Sequence, residues 1–318
     1  MATACVEAWR ALSPTDTLSA GPRIVEIPAH QGVVSIAQQL READVLRSPE
    51  AFVALSALRG SARALRAGEY EFPRGTTTVG ALRLLESGKV RLHLVLHPEG
   101  ATVAELARAL EQQQLAHAAD VTRVASDPAF LRSLGVEAPS LEGYLFPDTY
   151  HFAKGMTPEQ ILSRMVQRLR TKLSPDLLTR ARERRLDVHQ LLTLASIIER
   201  EAVVQEERPL ISAVFWNRLQ VGMPLQADPT VQYAVGKERR ALTRADLATD
   251  HPYNTYVRPG LPPGPIASPG LSAIEAALEP APVKYLYFVA SDDHHHHFST
   301  TIAEHNAAVA RYRLARSR

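Results

Sequence analysis

The chain predicts an α+β fold, and three observations carry that prediction. A strand, turn and helix pattern recurs three times within the first 110 residues. A run of amphipathic helices follows, interrupted by long Pro-rich loops. A further strand and a terminal helix close the sequence. At 318 residues the length predicts about two domains. We divide it into a loose leader over 1–21, a small β-α module over 22–92, and a larger mixed α+β domain over 93–318.

Each copy of the repeat can be read residue by residue. Val25-Glu26-Ile27-Pro28 alternates as a strand, and Ile36, Ala37 and Leu40 follow at helical spacing. Tyr70-Glu71-Phe72-Pro73 is followed at the same offsets by Ala81, Leu82 and Leu85. Leu94-Val95-Leu96-His97-Pro98 is followed by Leu106, Ala107 and Leu110. Ser35, Thr78 and Thr102 stand where an N-cap is expected. An additional helix from Ser48-Pro49-Glu50 to about Ala62 makes residues 22–90 read β-α-α-β-α. Two explanations stand: a generic β-α unit reused for packing, or a small LysM-like module, a βααβ unit that recognises N-acetylated glycans.

Beyond the module, 101–135 reads as helical, and 139–150 as an aromatic, extended stretch suited to an edge strand or a groove lip. Thr157-Pro158 opens a basic amphipathic helix to about Leu173, and Ser174-Pro175-Asp176 caps another to about Arg184. The next helix contains Leu191-Leu192-Thr193-Leu194-Ala195-Ser196-Ile197-Ile198-Glu199-Arg200-Glu201-Ala202. Leu192, Ala195, Glu199 and Ala202 share a face, so Glu199 projects from an apolar surface, with Glu201 expected to point elsewhere. Desolvation raises a carboxyl pKa and makes a general acid of it. A buried structural ion pair would place a Glu there equally well. A helix over 210–219 comes next, then a Pro-punctuated loop over 222–230. The twenty residues 251–270 hold Tyr253-Asn254-Thr255-Tyr256 and six prolines. A loop of that length is uncommon unless functional. A strand is expected over 285–290, and a helix after Thr301.

Composition excludes several classes. The net charge is +2 and aromatics are not interleaved with basic runs, so nothing favours nucleic acid. The single cysteine, Cys5, supports neither a disulfide framework nor a cysteine zinc site. No segment approaches 18 consecutive apolar residues. His294-His295-His296-His297 resembles metal bait, but adjacent strand side chains alternate faces and cannot all converge, so no metal or other cofactor is expected.

An ordered set of blocks carries a resemblance: Ala195-Ser196-Ile197-Ile198-Glu199-Arg200-Glu201, Asn217-Arg218-Leu219, Leu225-Gln226-Ala227-Asp228-Pro229-Thr230, Tyr253-Asn254-Thr255-Tyr256, Gly260-Leu261-Pro262-Pro263-Gly264-Pro265-Ile266 and Glu304-His305-Asn306. Over roughly 22–315 the chain resembles the YceG-like family of bacterial endolytic murein transglycosylases (MltG). The resemblance implies a LysM-like subdomain followed by a catalytic domain with a glycan groove. It places the catalytic glutamate at Glu199, with Asn217, Arg218, Gln226, Asp228, Thr230, Tyr233, Tyr253 and Asn254 around the groove. One departure is that the family's Gly-Gly-His-x-Phe turn reads His294-His295-His296-His297-Phe298 here.

The implied reaction is lytic cleavage of the MurNAc–GlcNAc β-1,4 bond of nascent strands without water, leaving 1,6-anhydroMurNAc ends and terminating glycan elongation. Implied partners are peptidoglycan strands and peptidoglycan synthases. Family members work in the periplasm from a single inner-membrane helix, which this chain lacks. Two rivals remain open here: a hydrolytic muramidase with Glu199 as acid and Asp228 as nucleophile or base, and a non-catalytic glycan-binding scaffold.

Overall fold

A computed structural model describes residues 7, 9–14, 21–237, 240–292 and 294–316. Cys5 and most of the leader lie outside these residues. The described elements form a mixed α+β architecture with three two-stranded sheets, and the chain divides into two compact units, Met1–Leu94 with His151–Met156, and Val95–Tyr150 with Thr157–Arg318.

The first unit contains β1 (Arg23–Ile27), α1 (Val33–Glu42), α2 (Pro49–Leu58), β2 (Gly68–Phe72) and α3 (Thr78–Ser87). β1 and β2 pair antiparallel, with Val25 opposite Tyr70 and Ile27 opposite Gly68. Alternation turns Val25 and Ile27 inward, where they pack with Ile36, Leu40, Phe52, Tyr70, Phe72, Leu82 and Leu85. All nine apolar positions predicted from the three-fold offset are buried, none more than 3% exposed. The caps are less regular. Thr102 closes a reciprocal capping box with Glu105. The cap of α3, however, is Thr77 rather than Thr78, and α1 starts at Gly32 with no side-chain cap, so Ser35 lies inside the helix.

The second unit is mainly helical: α4 (Val103–Gln112), α5 (Ala118–Ala125), α6 (Pro128–Ser133), α7 (Pro158–Lys172), α8 (Pro175–Glu183), α9 (Val188–Glu201), α10 (Arg208–Gln220), α11 (Asp228–Ala234), α12 (Arg244–Leu247), α13 (Leu271–Leu278) and α14 (Ile302–Arg316). β3 (Leu92–His97), which begins in the first unit's range, pairs with β4 (Asp148–Ala153), which ends in it, and β5 (Tyr287–Ala290) pairs antiparallel with β6 (His296–Ser299). The expected strand over 139–150 is absent before Asp148: Leu141 to Phe146 instead form a buried turn.

α9 is the centre of this unit. Asp187 and Gln190 cap it reciprocally, and every residue from Leu191 to Glu199 is buried. The loop over 251–270 is irregular, but residues 264–270 are all buried. Its backbone polar groups are satisfied by specific partners, as burial requires. Ile266 N–H donates to Ser196 Oγ (3.1 Å), Gly270 N–H to Glu199 Oε2 (3.0 Å), and Ser268 exchanges backbone bonds with Gly100 and Ala101. Ser268 Oγ also pairs with Nε2 of buried His97 (2.9 Å), whose pKa burial lowers to about 4.

Gly143 packs against this loop. Its φ is +78°, and a Cβ there would overlap the ring of Pro265. Gly143→Ala therefore combines backbone strain with a clash, and we expect it to destabilise the protein by about 1–3 kcal/mol. Urea unfolding checks this: an unchanged midpoint would show that the loop can retreat from Gly143 without cost.

Candidate active site

α9 ends beneath a cavity of about 580 Å³ lined by Glu99, Gly100, Glu199, Arg200, Glu201, Val203, Asp228, Pro229 and Gln232. Three consecutive residues of one helix line it because the cavity lies over the end of α9 rather than along one side. Angular separation around the helix axis does not divide residues there, so Glu201 shares the cavity with Glu199. This differs from the face reading of the sequence.

The two glutamates have different surroundings. Glu199 Oε1 accepts a hydrogen bond from Arg208 Nη2 at 2.8 Å, and Oε2 accepts from the Gly270 N–H at the start of α13. The pair is nearly dry, the side chains being 5% and 13% exposed for Glu199 and Arg208. The guanidinium takes one carboxyl oxygen and the N-terminal N–H of α13 the other. With both oxygens engaged, its orientation is fixed. It braces α9 to α10 and α13.

Glu201 keeps part of its surface accessible in the cavity, while its carboxyl group is strongly desolvated. Desolvation first, and then the charge of Asp228, push its pKa up from 4.5 to about 8. Arg218, Arg200 and the Asp228 backbone N–H act in the opposite direction without cancelling the rise. The C-terminal carbonyls of α9 also disfavour a second negative charge at the helix end. Glu201 is thus a carboxylic acid that retains its proton at neutral pH. Glu99, on the same wall, is raised more mildly by partial burial and then by Glu199.

The other residues named from the sequence fall into three groups. Asp228 lines the cavity and accepts from the Tyr256 hydroxyl at 2.6 Å. Gln226 is exposed with φ +49°, and Tyr233 and Tyr253 form a ring pair with centroids 4.9 Å apart. The third group is structural. Asn217 Nδ2 donates to the carbonyls of Val283 and Tyr285. Arg218 is buried, bonding the carbonyls of Leu286, Pro224 and Leu225 beneath the ring of Tyr287. Thr230 and Asn254 are fully buried, Thr230 on Thr255 and Asn254 on the carbonyls of Leu247 and Thr249. None of these four residues lines the cavity.

Glu201 and Tyr256 were not singled out from the sequence as functional residues. The segment over 222–230, read there as a loop throughout, starts α11 at Asp228, with Pro229 in the first turn where a missing N–H is harmless. A Pro-containing segment was thus a helix start. Of the histidine run, His296 and His297 open β6 while His294 and His295 precede it, and His296 pairs with buried Glu207 through Nδ1 (2.6 Å) and through its backbone N–H (2.9 Å). Among the described residues no group of three or more His, Cys, Asp or Glu is arranged to hold a metal ion.

Comparison with known proteins identifies the family. The model of the YceG-like family matches residues 25–311. An endolytic murein transglycosylase of Bacillus subtilis is 35% identical over 317 residues, covering 95% of this chain and 88% of that protein. One from Streptococcus pneumoniae is 34% identical, covering 88% of this chain and 56% of the longer relative. The crystal structure of a yceG-like protein from Listeria monocytogenes, 35% identical, superposes with a TM-score of 0.64 over 91% of this chain and 99% of that one. With a family model spanning residues 25–311 and a 35% identical relative matched over 88% of its own length, the chain belongs to the YceG-like family.

Proposed function

We propose that the chain is an endolytic peptidoglycan lytic transglycosylase in which Glu201 moves the proton. The observation that carries this reading is a desolvated carboxyl, its pKa pushed up to about 8, in a cavity it shares with Glu99, Glu199 and Asp228, in a chain of this family. Glu201 donates its proton to the glycosidic oxygen as the bond from the MurNAc anomeric carbon breaks. The substrate's acetamido group or the nearby Asp228 carboxylate stabilises the positive charge that develops. Glu201, now a carboxylate, takes the proton from the MurNAc 6-hydroxyl as that oxygen closes on the anomeric carbon. One bond breaks, one forms, and the proton returns, so neither water nor a second acid is consumed. An acid with a pKa near the working pH suits both halves of that exchange.

The same reading extends outward. The β1-α1-α2-β2 order with antiparallel β1–β2 pairing supports a LysM-like glycan-binding role for the first unit. Nascent strands are the substrate in this reading, with synthases as neighbours at the periplasmic face of the inner membrane. No helix among the described residues is long and apolar enough to cross a membrane.

Glu199, the position implied by the sequence resemblance, is the alternative proton donor, and paired variants separate the two. We expect Glu201→Gln to lower turnover by about a hundredfold to ten-thousandfold with no loss of melting temperature. Glu199→Gln weakens a buried charge pair and is expected to cost about 1–3 kcal/mol of stability. Purified variants incubated with murein, with the released muropeptides read by mass spectrometry, give the answer. An active Glu201→Gln protein returns the acid role to Glu199, and products lacking 1,6-anhydro ends point to the muramidase with Asp228 as its second carboxylate.

The raised pKa also fixes a pH dependence. The acid form is required, so activity is expected to fall above about pH 8, by roughly tenfold per unit. Asp228→Asn removes a repulsive charge, lowers the Glu201 pKa and moves that alkaline limb to lower pH. A limb that stays in place, or moves up, contradicts the electrostatic assignment.

A further inference from the structure

We infer that Tyr256 is a positioning residue that sets the protonation of Glu201 by holding the Asp228 carboxylate beside it. The inference rests on the reading of Glu201 as the proton carrier. It begins with the geometry of residues 254–256, which grip the start of α11 at several points. Gln226 N–H donates to the Thr255 carbonyl (3.0 Å), and Ala227 N–H to Thr255 Oγ1 (3.0 Å). The hydroxyls of Thr230 and Thr255 meet at 2.9 Å in a fully dry setting. Tyr256 closes the grip with its 2.6 Å bond to Asp228 Oδ1.

Tyr256 is itself held. Its N–H donates to Asn254 Oδ1 (2.9 Å), and Asn254 is buried on two carbonyls. Burial, and then the bond to Asp228, raise the Tyr256 pKa, so the phenol stays a donor across the working range. Asp228, by contrast, is exposed and sits in the first turn of a short helix. Without the Tyr256 bond, water would compete for its carboxylate and release it from one rotamer. The Tyr-Asn-Thr-Tyr block is therefore wired to the acid through Asp228.

Other charges face Glu201 as well. Arg218 approaches from α10 and Arg200 from its own helix, while Glu99 and Glu199 occupy the same cavity wall. Arg218 is fixed by three carbonyls and Glu199 by Arg208 and Gly270. Asp228 is the charge next to Glu201 whose place depends on one hydroxyl.

The test is a double-mutant cycle on the full chain with Tyr256→Phe, Asp228→Asn and both together, following the alkaline limb of kcat/KM and the Glu201 carboxyl titration by ¹³C NMR. We expect Tyr256→Phe to lower the Glu201 pKa and the limb together, in the direction of Asp228→Asn. The double variant should then match Asp228→Asn alone, because both changes act through one charge. Rescue of the limb by Tyr256→Trp, which has an N–H donor but different reach, is not expected. An unshifted carboxyl titration in Tyr256→Phe overturns the inference, as does additivity of the two shifts. If Tyr256→Phe leaves the limb in place while Glu201→Gln is inactive, only the role of Tyr256 fails. If Glu201→Gln cleaves normally, the reading of the acid fails first.

Discussion

The second unit depends on the buried contact of Glu199 with Arg208 and the Gly270 N–H. Ion pairs of this kind are expensive to assemble and costly to break, because removing one member leaves an uncompensated charge in a dry place. Here the contact joins α9, α10 and the entry to α13 at one carboxyl group. It also fixes the end of α9, where the chain leaves the helix and presents Glu201 to the cavity. Two acidic residues separated by one position thus divide the work: one is held by its neighbours and the other is left with its proton.

That division explains how the cavity can contain several acidic side chains while one of them keeps a raised pKa. Desolvation at Glu201 and the nearby negative charge of Asp228 act in the same direction, and the arginines closest to it are occupied elsewhere. Arg218 is bonded to main-chain carbonyls, and Arg200 donates to the Gly100 carbonyl at 3.1 Å. Each is close enough to moderate the field at Glu201 without cancelling the rise. The result is a poised acid rather than a neutralised one.

Much of the fold was legible from periodicity. The three-fold offset of apolar residues located nine core positions, because burial at i, i+1 and i+4 follows from helix geometry however the units pack. The α9 block was readable for the same reason. What could not be read was which of two nearby glutamates is engaged by distant groups: Arg208 is nine residues away and Gly270 seventy-one from Glu199. Face arithmetic also fails at a helix end, where Glu201 and Glu199 line one cavity. The loop over 251–270 was found by its composition, but its burial, and the tie of Tyr256 to Asp228, depend on long-range pairing. Asn217, Arg218, Thr230 and Asn254, which the resemblance places around the groove, direct their side chains mainly at main-chain carbonyls, since polar side chains taken out of water must find partners.

Ser196 shows how narrowly such an interior can specify a residue. Its oxygen gives its proton to the Thr193 carbonyl and receives one from Ile266, with no surface left to water. Alanine would fit the space but strand an amide, while valine would strand the same amide and add bulk to a full core. The small alcohol in the Ala-Ser-Ile-Ile-Glu string is therefore a demand made by a loop seventy positions downstream, and its presence in a sequence reports how that loop is folded, independently of any chemistry performed on sugar.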